Sequence, residues 1–233
     1  MNVILGDGLL GSAVIGISGW NYVSRRDHGF DINKPQTWKN CIPKETTTII
    51  NLVANTDTYT DDLDSLFETN YRGVIRLVDY CNENNIKLVH FSTDYVYEKS
   101  RTNAKETFKA VPGNPYAMSK LLADEYIMKH SNNYLILRGA QKPDPFPYDK
   151  AFTDVVGNFD YPDAIGELVV KMVKLGAKGL YNVGTELKSV YELAQRSHPS
   201  VRPVESPKHF PNDVSMNLDK MNKVLEEWHE DLE

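Results

Sequence analysis

Cysteine is nearly absent: Cys41 and Cys81 are the only two in 233 residues, and they stand in unrelated contexts. Two isolated thiols make no disulfide framework and suit a reducing compartment, so a cytoplasmic protein is expected. Basic blocks are missing too. Lys and Arg total 26 against 32 Asp and Glu, a formal charge of −6, which argues against nucleic acid as a partner. No apolar run approaches the roughly 20 residues that span a bilayer. Met1 to Gly8 has neither a basic lead-in nor a long apolar stretch, so no membrane anchor and no leader peptide are expected. The six histidines (His28, His90, His130, His198, His209 and His229) show no paired ligand spacing, and no metal site is expected. Internal repeats and low-complexity segments are lacking as well. What is present is 41% hydrophobic content over 233 residues, enough to bury the core of one α/β domain with a small appended lobe.

Strand-like and helix-like segments alternate along the chain. Val3 to Leu5, Trp20 to Ser24, Thr47 to Val53, Lys87 to Ser92, Tyr134 to Arg138 and Gly179 to Val183 read as strands. Helices are predicted over Leu9 to Ile17, Leu63 to Asn84, Pro115 to His130, Pro162 to Leu175, Ser189 to Gln195 and Leu218 to His229. In the second of these, Leu66, Tyr71, Val74, Leu77, Val78 and Cys81 recur at helical spacing. Asp61, Asp62 and Asp64 sit at its start, where negative charge complements the dipole. Regular β-α-β alternation implies a doubly wound parallel sheet, with ligands at the carboxyl ends of its strands. Loops crowd the last third, beginning with Pro143, Pro145 and Pro147.

The first motif is Gly6-Asp7-Gly8-Leu9-Leu10-Gly11, between the first strand and the first helix. Glycines there allow a tight turn and let a pyrophosphate reach the main chain, and the helix N-terminus adds N–H donors. A plain strand-to-helix turn is its rival reading. The second strand then runs into Ser24-Arg25-Arg26. Two guanidiniums and a hydroxyl suit the 2′-phosphate of NADP(H), whereas a carboxylate at that place grips the ribose of NAD(H). Asp27 keeps NAD(H) open, and a solvated basic turn is the rival reading of the tripeptide.

Chemistry is expected further along. Tyr116 and Lys120 lie four residues apart at the start of a predicted helix and so share one face. A nearby ammonium favours the phenolate and would draw Tyr116 down from about 10 toward working pH. Upstream, Ser92-Thr93-Asp94-Tyr95 ends a strand, where the hydroxyl of Thr93 or Ser92 would meet a substrate carbonyl beside Tyr116.

With these segments in place the chain resembles the extended short-chain dehydrogenase/reductase family, nearest to its dTDP-4-dehydrorhamnose reductase group. The resemblance spans nearly the whole chain. It rests on the glycine loop, Phe30-Asp31-Ile32, Asn51-Leu52-Val53-Ala54-Asn55-Thr56, Thr69-Asn70, Ser92 to Tyr97, Tyr116 to Lys120, Leu137-Arg138, and Gly179 to Gly184. It implies a Rossmann fold, with residues 1–138 as the NADP(H)-binding core. Residues 139–233 would complete that core over 162–183 and form an abbreviated substrate lobe. Implied cofactor contacts are Gly6, Gly8, Leu9, Leu10, Gly11, Ser24, Arg25, Arg26, Asp31, Ile32, Val53, Ala54, Asn55, Tyr116, Lys120 and Gly139. Thr93 would orient a keto group, Tyr116 would protonate its oxygen, and Lys120 would hold the ribose and tune Tyr116. The implied substrate is a nucleotide-sugar reduced at a 4-keto group, and a homodimer is compatible with the family.

Departures from the family pattern are specific. One residue, not two, separates the first two glycines, and Gly139-Ala140-Gln141 replaces the Thr-Ser-Trp common in that group. Tyr95 follows Asp94 where nucleotide-sugar dehydratases carry glutamate, which argues against elimination. An epimerase, a bifunctional 3,5-epimerase/4-reductase, and a catalytically silent NADP-binding subunit remain as alternatives. Plainer readings attach to the rest. His90 alternates with core positions and reads as a packed histidine, and Glu226, Glu227, Glu230 and Asp231 read as a solvated tail. Phe146, Pro147, Tyr148 and Phe152 would either stack on a base or sugar or fill a loop core.

Overall fold

Short apolar runs with no polar alternation need cover on both faces, and here they build the middle of a parallel sheet. β1 (Asn2–Leu5), β2 (Asn21–Val23), β3 (Thr48–Asn51), β4 (Lys87–Thr93), β5 (Tyr134–Gly139) and β6 (Gly179–Asn182) pair in the order β2-β1-β3-β4-β5-β6, every pair parallel. The structure is a computed structural model that describes the chain except residues 59, 101, 209 and 231–233 and the side chains of 227–230. The readings made for His209 and Asp231, and for the side chains of Glu227, His229 and Glu230, lie outside the described residues.

Successive strand residues point to opposite faces, and the core divides accordingly. Val3, Leu5, Ile49, Leu88 and Ile136 face one helical layer and are wholly or almost wholly buried. That layer is α3 (Gly73–Glu83) and α4 (Pro115–His130). Ile4, Ile50, Val89, Leu135 and Leu137 face the other, which contains α1 (Leu9–Ser18) and α5 (Pro162–Lys174). Each such side chain contributes about 1.5–3 kcal/mol on burial. From β1 the chain winds one way to β2 and then crosses to β3 on the other side. This reversal opens a crevice at the carboxyl ends of β1 and β3.

The long helix predicted from Leu63 to Asn84 is corrected. α2 (Leu63–Phe67) passes into a π-helical turn at Glu68–Arg72 before α3 begins. The cause is tertiary. Asn70 is buried, exchanges hydrogen bonds with the backbone of Asn55 at 2.8 and 2.9 Å, and donates to the Ser119 hydroxyl at 3.1 Å. The turn aims that amide inward. Asp62 caps α2 through the Ser65 N–H at 3.0 Å.

β3 ends at Asn51, short of the predicted Val53: the Leu52 N–H still reaches the Leu5 carbonyl at 3.0 Å, and Val53 lines the crevice. The last third folds as a lobe around Phe146, Val155, Phe159, Val190, Leu193 and Val201. It carries α6 (Val190–Ser197) and two short strand pairs, one of which takes Ser189 from the start of the predicted helix. Lys150–Phe152 runs parallel to Arg202–Val204, and Val156–Gly157 antiparallel to Lys188–Ser189. A final helix, α7 (Asp219–Glu230), closes the chain. Among the described residues no helix is long and apolar enough to cross a membrane. None of them form a group of three or more His, Cys, Asp or Glu placed to hold a metal.

Candidate active site

The three glycines of the first loop serve different ends. Gly6 has φ of +96°, a conformation that side chains rarely adopt, and its N–H continues the sheet to the Val23 carbonyl at 2.9 Å. A Cβ on Gly11 would lie 2.2 Å from the Gly6 carbonyl oxygen, so this glycine allows α1 to pack against the loop. A Cβ on Gly8 would meet nothing within 4 Å, and Gly8 borders the cleft. Gly8 also caps α1 without a side-chain acceptor, and no acidic residue occupies the first turn. Free N–H groups at the helix start, beside a glycine that keeps the approach open, fit a pyrophosphate.

Two cavities adjoin this loop. One, of about 650 Å³, runs from Gly6 and Gly8 past Ser24, Arg25, Asp31 and Ile32 to Val53, Ala54 and Asn55. Its shape suits the adenosine half of a dinucleotide. The two arginines part company here. Arg25 borders the cavity and reaches Asp31 at 3.4 Å. Arg26 does not border it; its guanidinium turns to Asp7 at 2.6 Å and Asp27 at 3.0 Å. Asp27, the alternative ribose acid, also stands outside and accepts from the Tyr22 hydroxyl at 2.9 Å. Ser24 Oγ accepts the Asp27 N–H at 3.1 Å, capping the short helix Arg25–His28.

The second cavity, about 340 Å³, is the cleft that Leu9, Leu10, Gly11, Thr93, Tyr116, Lys120 and Gly139 share with Gln141 and Lys142. Thr93 ends β4 and Tyr116 opens α4, where Asn114 caps the helix through the Ala117 N–H at 2.8 Å. Tyr116 and Thr93 line the same cleft. Thr93 Oγ1 accepts from the Tyr95 N–H at 3.3 Å and donates to Asp94 at 3.2 Å. Asp94 thus accepts the proton of the Thr93 hydroxyl. Its carboxyl is pushed up by burial, against the pull of Lys142.

Lys120 does not lower Tyr116 in this arrangement, contrary to expectation. Burial pushes the Tyr116 phenol up to about 12, the Asp94 charge adds to this, and Thr93 opposes it. The Lys120 amine turns to β4 instead, with Phe91 O at 2.8 Å and His90 Nε2 at 3.2 Å. Burial lowers it to about 8, resisted by Asp124. His90 is a packed histidine, wholly buried, but both of its ring nitrogens are engaged, the second by Asn51 at 3.1 Å.

Neither Asp94 nor Lys142 stood out in the sequence. Asp94 could have been suspected as the neighbour of Thr93, but Lys142 gave no signal. The Lys142 Nζ lies 5.0 Å from the centre of the Phe159 ring. With Tyr95 it borders both the cleft and a third cavity of about 740 Å³ in the lobe. Phe146, Tyr148, Phe152, Phe159 and Phe210 line that third cavity, so three of the aromatics read as either stacking or filling are wall residues.

Fold and cleft together define a doubly wound α/β protein with a glycine loop at its switch-point crevice and a lobe cavity beside it. The chain belongs to the NAD dependent epimerase/dehydratase family, whose model matches residues 10–141. Thr93, Tyr116 and Lys120 fall inside that span. Its sequence matches none of the curated proteins.

Solved structures give the likeness in fold. A hypothetical dTDP-4-dehydrorhamnose reductase from Sulfolobus tokodaii is 20% identical, with 96% of this chain and 94% of that one covered and a TM-score of 0.79. The dTDP-4-dehydrorhamnose reductase from Bacillus anthracis str. Ames in complex with NADP is 19% identical, with 95% and 91% covered and a TM-score of 0.79. The Bordetella bronchiseptica enzyme WbmG in complex with NAD and UDP is 18% identical, with 97% and 87% covered and a TM-score of 0.71.

Proposed function

We propose that this protein is an NADP(H)-dependent reductase of the 4-keto group of a 6-deoxy nucleotide-sugar. The observation that carries the reading is the meeting of Thr93, Tyr116 and Lys120 in one cleft with the glycine loop. A lobe cavity opens from the same cleft. Its aromatic wall suits a nucleobase, and Lys142 at the junction suits the charge of a diphosphate. Similar folds solved with NADP, or with NAD and UDP, support this choice of ligands. Arg25 in the adenosine cavity favours the 2′-phosphate of NADP(H), while Asp31 in the same wall leaves room for NAD(H).

The reduced nicotinamide, when bound, supplies the hydride for the carbonyl carbon. Tyr116 supplies the proton for the oxygen. With its phenol pushed up to about 12 by burial, it stays protonated across working pH. Thr93 Oγ1 donates to Asp94 in the unliganded cleft and would turn that one proton to the same oxygen to serve as a second donor. Lys120, one helical turn beyond Tyr116, lines the same cleft and would hold the ribose by turning its amine from the Phe91 carbonyl. One ketone, one NADPH and one proton give one alcohol and one NADP⁺.

A 4-keto-6-deoxy nucleotide-sugar supplied with NADPH in deuterated water tests the reading. One NADPH should be oxidised per sugar, with no deuterium at C3 or C5 above the level exchanged without protein. Deuterium at either carbon would establish epimerase chemistry instead. NADPH binding without oxidation by any such sugar would favour a silent binding subunit.

A further inference from the structure

Thr93 ends β4 and Tyr116 opens α4, so their hydroxyls share a cleft only while those two ends are held against each other. After Thr93 the chain makes a 3₁₀ turn, Asp94–Tyr97, and Glu98 closes it, with its N–H on the Tyr95 carbonyl at 3.1 Å. From there the Glu98 carboxylate accepts from Asn114 Nδ2 at 2.9 Å. A carboxylate only accepts, so it draws the nitrogen of the Asn114 amide and leaves the oxygen for the other side. That oxygen accepts from the Ala117 N–H at 2.8 Å and caps α4. The cap closes a ring of backbone that contains Pro115 and Tyr116. With the amide reversed, N–H would face N–H at the helix start.

Gly113 makes room for the arrangement, since a Cβ there would overlap the whole Glu98 carboxyl group. Behind the ring, the Tyr116 carbonyl accepts from the Ser119 hydroxyl at 2.7 Å, and that hydroxyl accepts from Asn70 Nδ2 at 3.1 Å. The Tyr116 backbone is thus gripped from behind by Ser119 and from the front by the cap.

We propose that Glu98 is a positioning residue: by fixing the sense of the Asn114 amide, it clasps the turn after Thr93 to the start of α4 and sets Tyr116 against Thr93. The effect on rate rests on the reductase reading; the clasp itself does not. Two plainer roles compete with it. A carboxylate beside a helix N-terminus is favoured by the dipole, and a side chain of this length fills the space beside Gly113. Glu98→Gln keeps the length and an acceptor and loses only the charge. Glu98→Met keeps the length and loses both.

The two variants are compared with the unaltered full chain, all ¹⁵N-labelled. In Glu98→Met the Ala117 amide should exchange about fivefold faster, the loss of a typical cap. The Tyr116 amide should pass from an order parameter of about 0.85, a rigid backbone, toward 0.6. Turnover of a 4-keto-6-deoxy nucleotide-sugar should fall roughly tenfold to a hundredfold with NADPH affinity unchanged, because the glycine loop is untouched. Glu98→Gln should restore all of these. A Tyr116 amide as rigid in Glu98→Met as in the unaltered chain would overturn the proposal. So would a Glu98→Gln variant as loose as Glu98→Met, which would assign the effect to charge. A loosened Tyr116 with unchanged turnover would refute the positioning role. Should Glu98→Met not fold, Gly113→Ala pushes the carboxyl aside without removing it and should loosen Tyr116 likewise; an unchanged amide would overturn the clasp. If no sugar is reduced at all, the amide measurements still decide the clasp, so its failure and that of the reductase reading are separable.

Discussion

Arg138 Nε donates to Asp124 Oδ2 at 2.9 Å with both side chains almost fully buried, at 2% and 0% exposure. The Ser92 hydroxyl donates to the same oxygen at 2.9 Å, and Arg138 Nη1 donates to the Tyr97 hydroxyl at 2.7 Å. The pair thus ties α4 to β4 and β5 directly under the cleft. Asp124→Asn keeps the shape but strands a buried guanidinium. A loss of about 3–5 kcal/mol is expected, read as a lower midpoint in urea. A change below about 1 kcal/mol would mean that water or a rearranged neighbour takes the place of the carboxylate.

Tyr116→Phe removes the acid and little else, since the ring remains and Thr93 keeps Asp94 and the Tyr95 N–H as partners. Turnover should fall roughly 10²–10⁴-fold with NADPH affinity nearly unchanged. Near-normal turnover would remove Tyr116 from the chemistry.

The arginines after β2 should separate in single variants. Arg25→Ala should weaken NADPH roughly tenfold to a hundredfold and NADH much less, because Arg25 borders the adenosine cavity. Arg26→Ala should leave both affinities near normal, since its guanidinium is spent on Asp7 and Asp27. Equal losses in the two variants, by calorimetry, would show that Arg26 leaves its carboxylates when NADPH binds.

The two thiols differ in kind. Burial pushes Cys81 up to about 12 from an ordinary value of 9.0, whereas Cys41 is half-buried at the surface. A thiol reagent should therefore label one cysteine in the native protein and two in denaturant. The folded chain keeps the Cys81 proton in a range where the unfolded chain loses it. Its contribution to stability is thus complete below about pH 9 and is lost as pH rises toward 12. The Tyr116 phenol, raised from 10.0 to about 12, acts with the same sign. Cys81→Ala should flatten the alkaline decline in unfolding free energy; an unchanged slope would assign it to other groups.

The sheet was legible because its strands are buried on both faces and announce themselves as unbroken apolar runs. α4 was read to the residue, since Pro115 suits a first helical position and Asn114 its cap. The π turn was not, because it is set by what Asn70 reaches across the fold rather than by the residues around it. The lobe strands are two or three residues long, and Pro203 interrupts one of them, so no period could form. In the site, four-residue spacing correctly put Tyr116 and Lys120 on one face. It could not reveal that the Lys120 amine turns back to a carbonyl of β4. Nor could local sequence pair Arg26 with Asp7, a carboxylate 19 positions earlier.

The π turn at Glu68–Arg72 also makes the α2–α3 rod one residue longer than an uninterrupted α-helix of the same span. The surplus residue acts as a ratchet tooth. Deleting one residue from this turn would let the backbone run on as a straight α-helix, with every local hydrogen bond kept. Yet it would swing Asn70 about 100° around the helix axis and release both the Asn55 loop and Ser119 of α4. Length in this helix is therefore a register that the cleft depends on, and related chains can vary the residues of the turn more freely than their number.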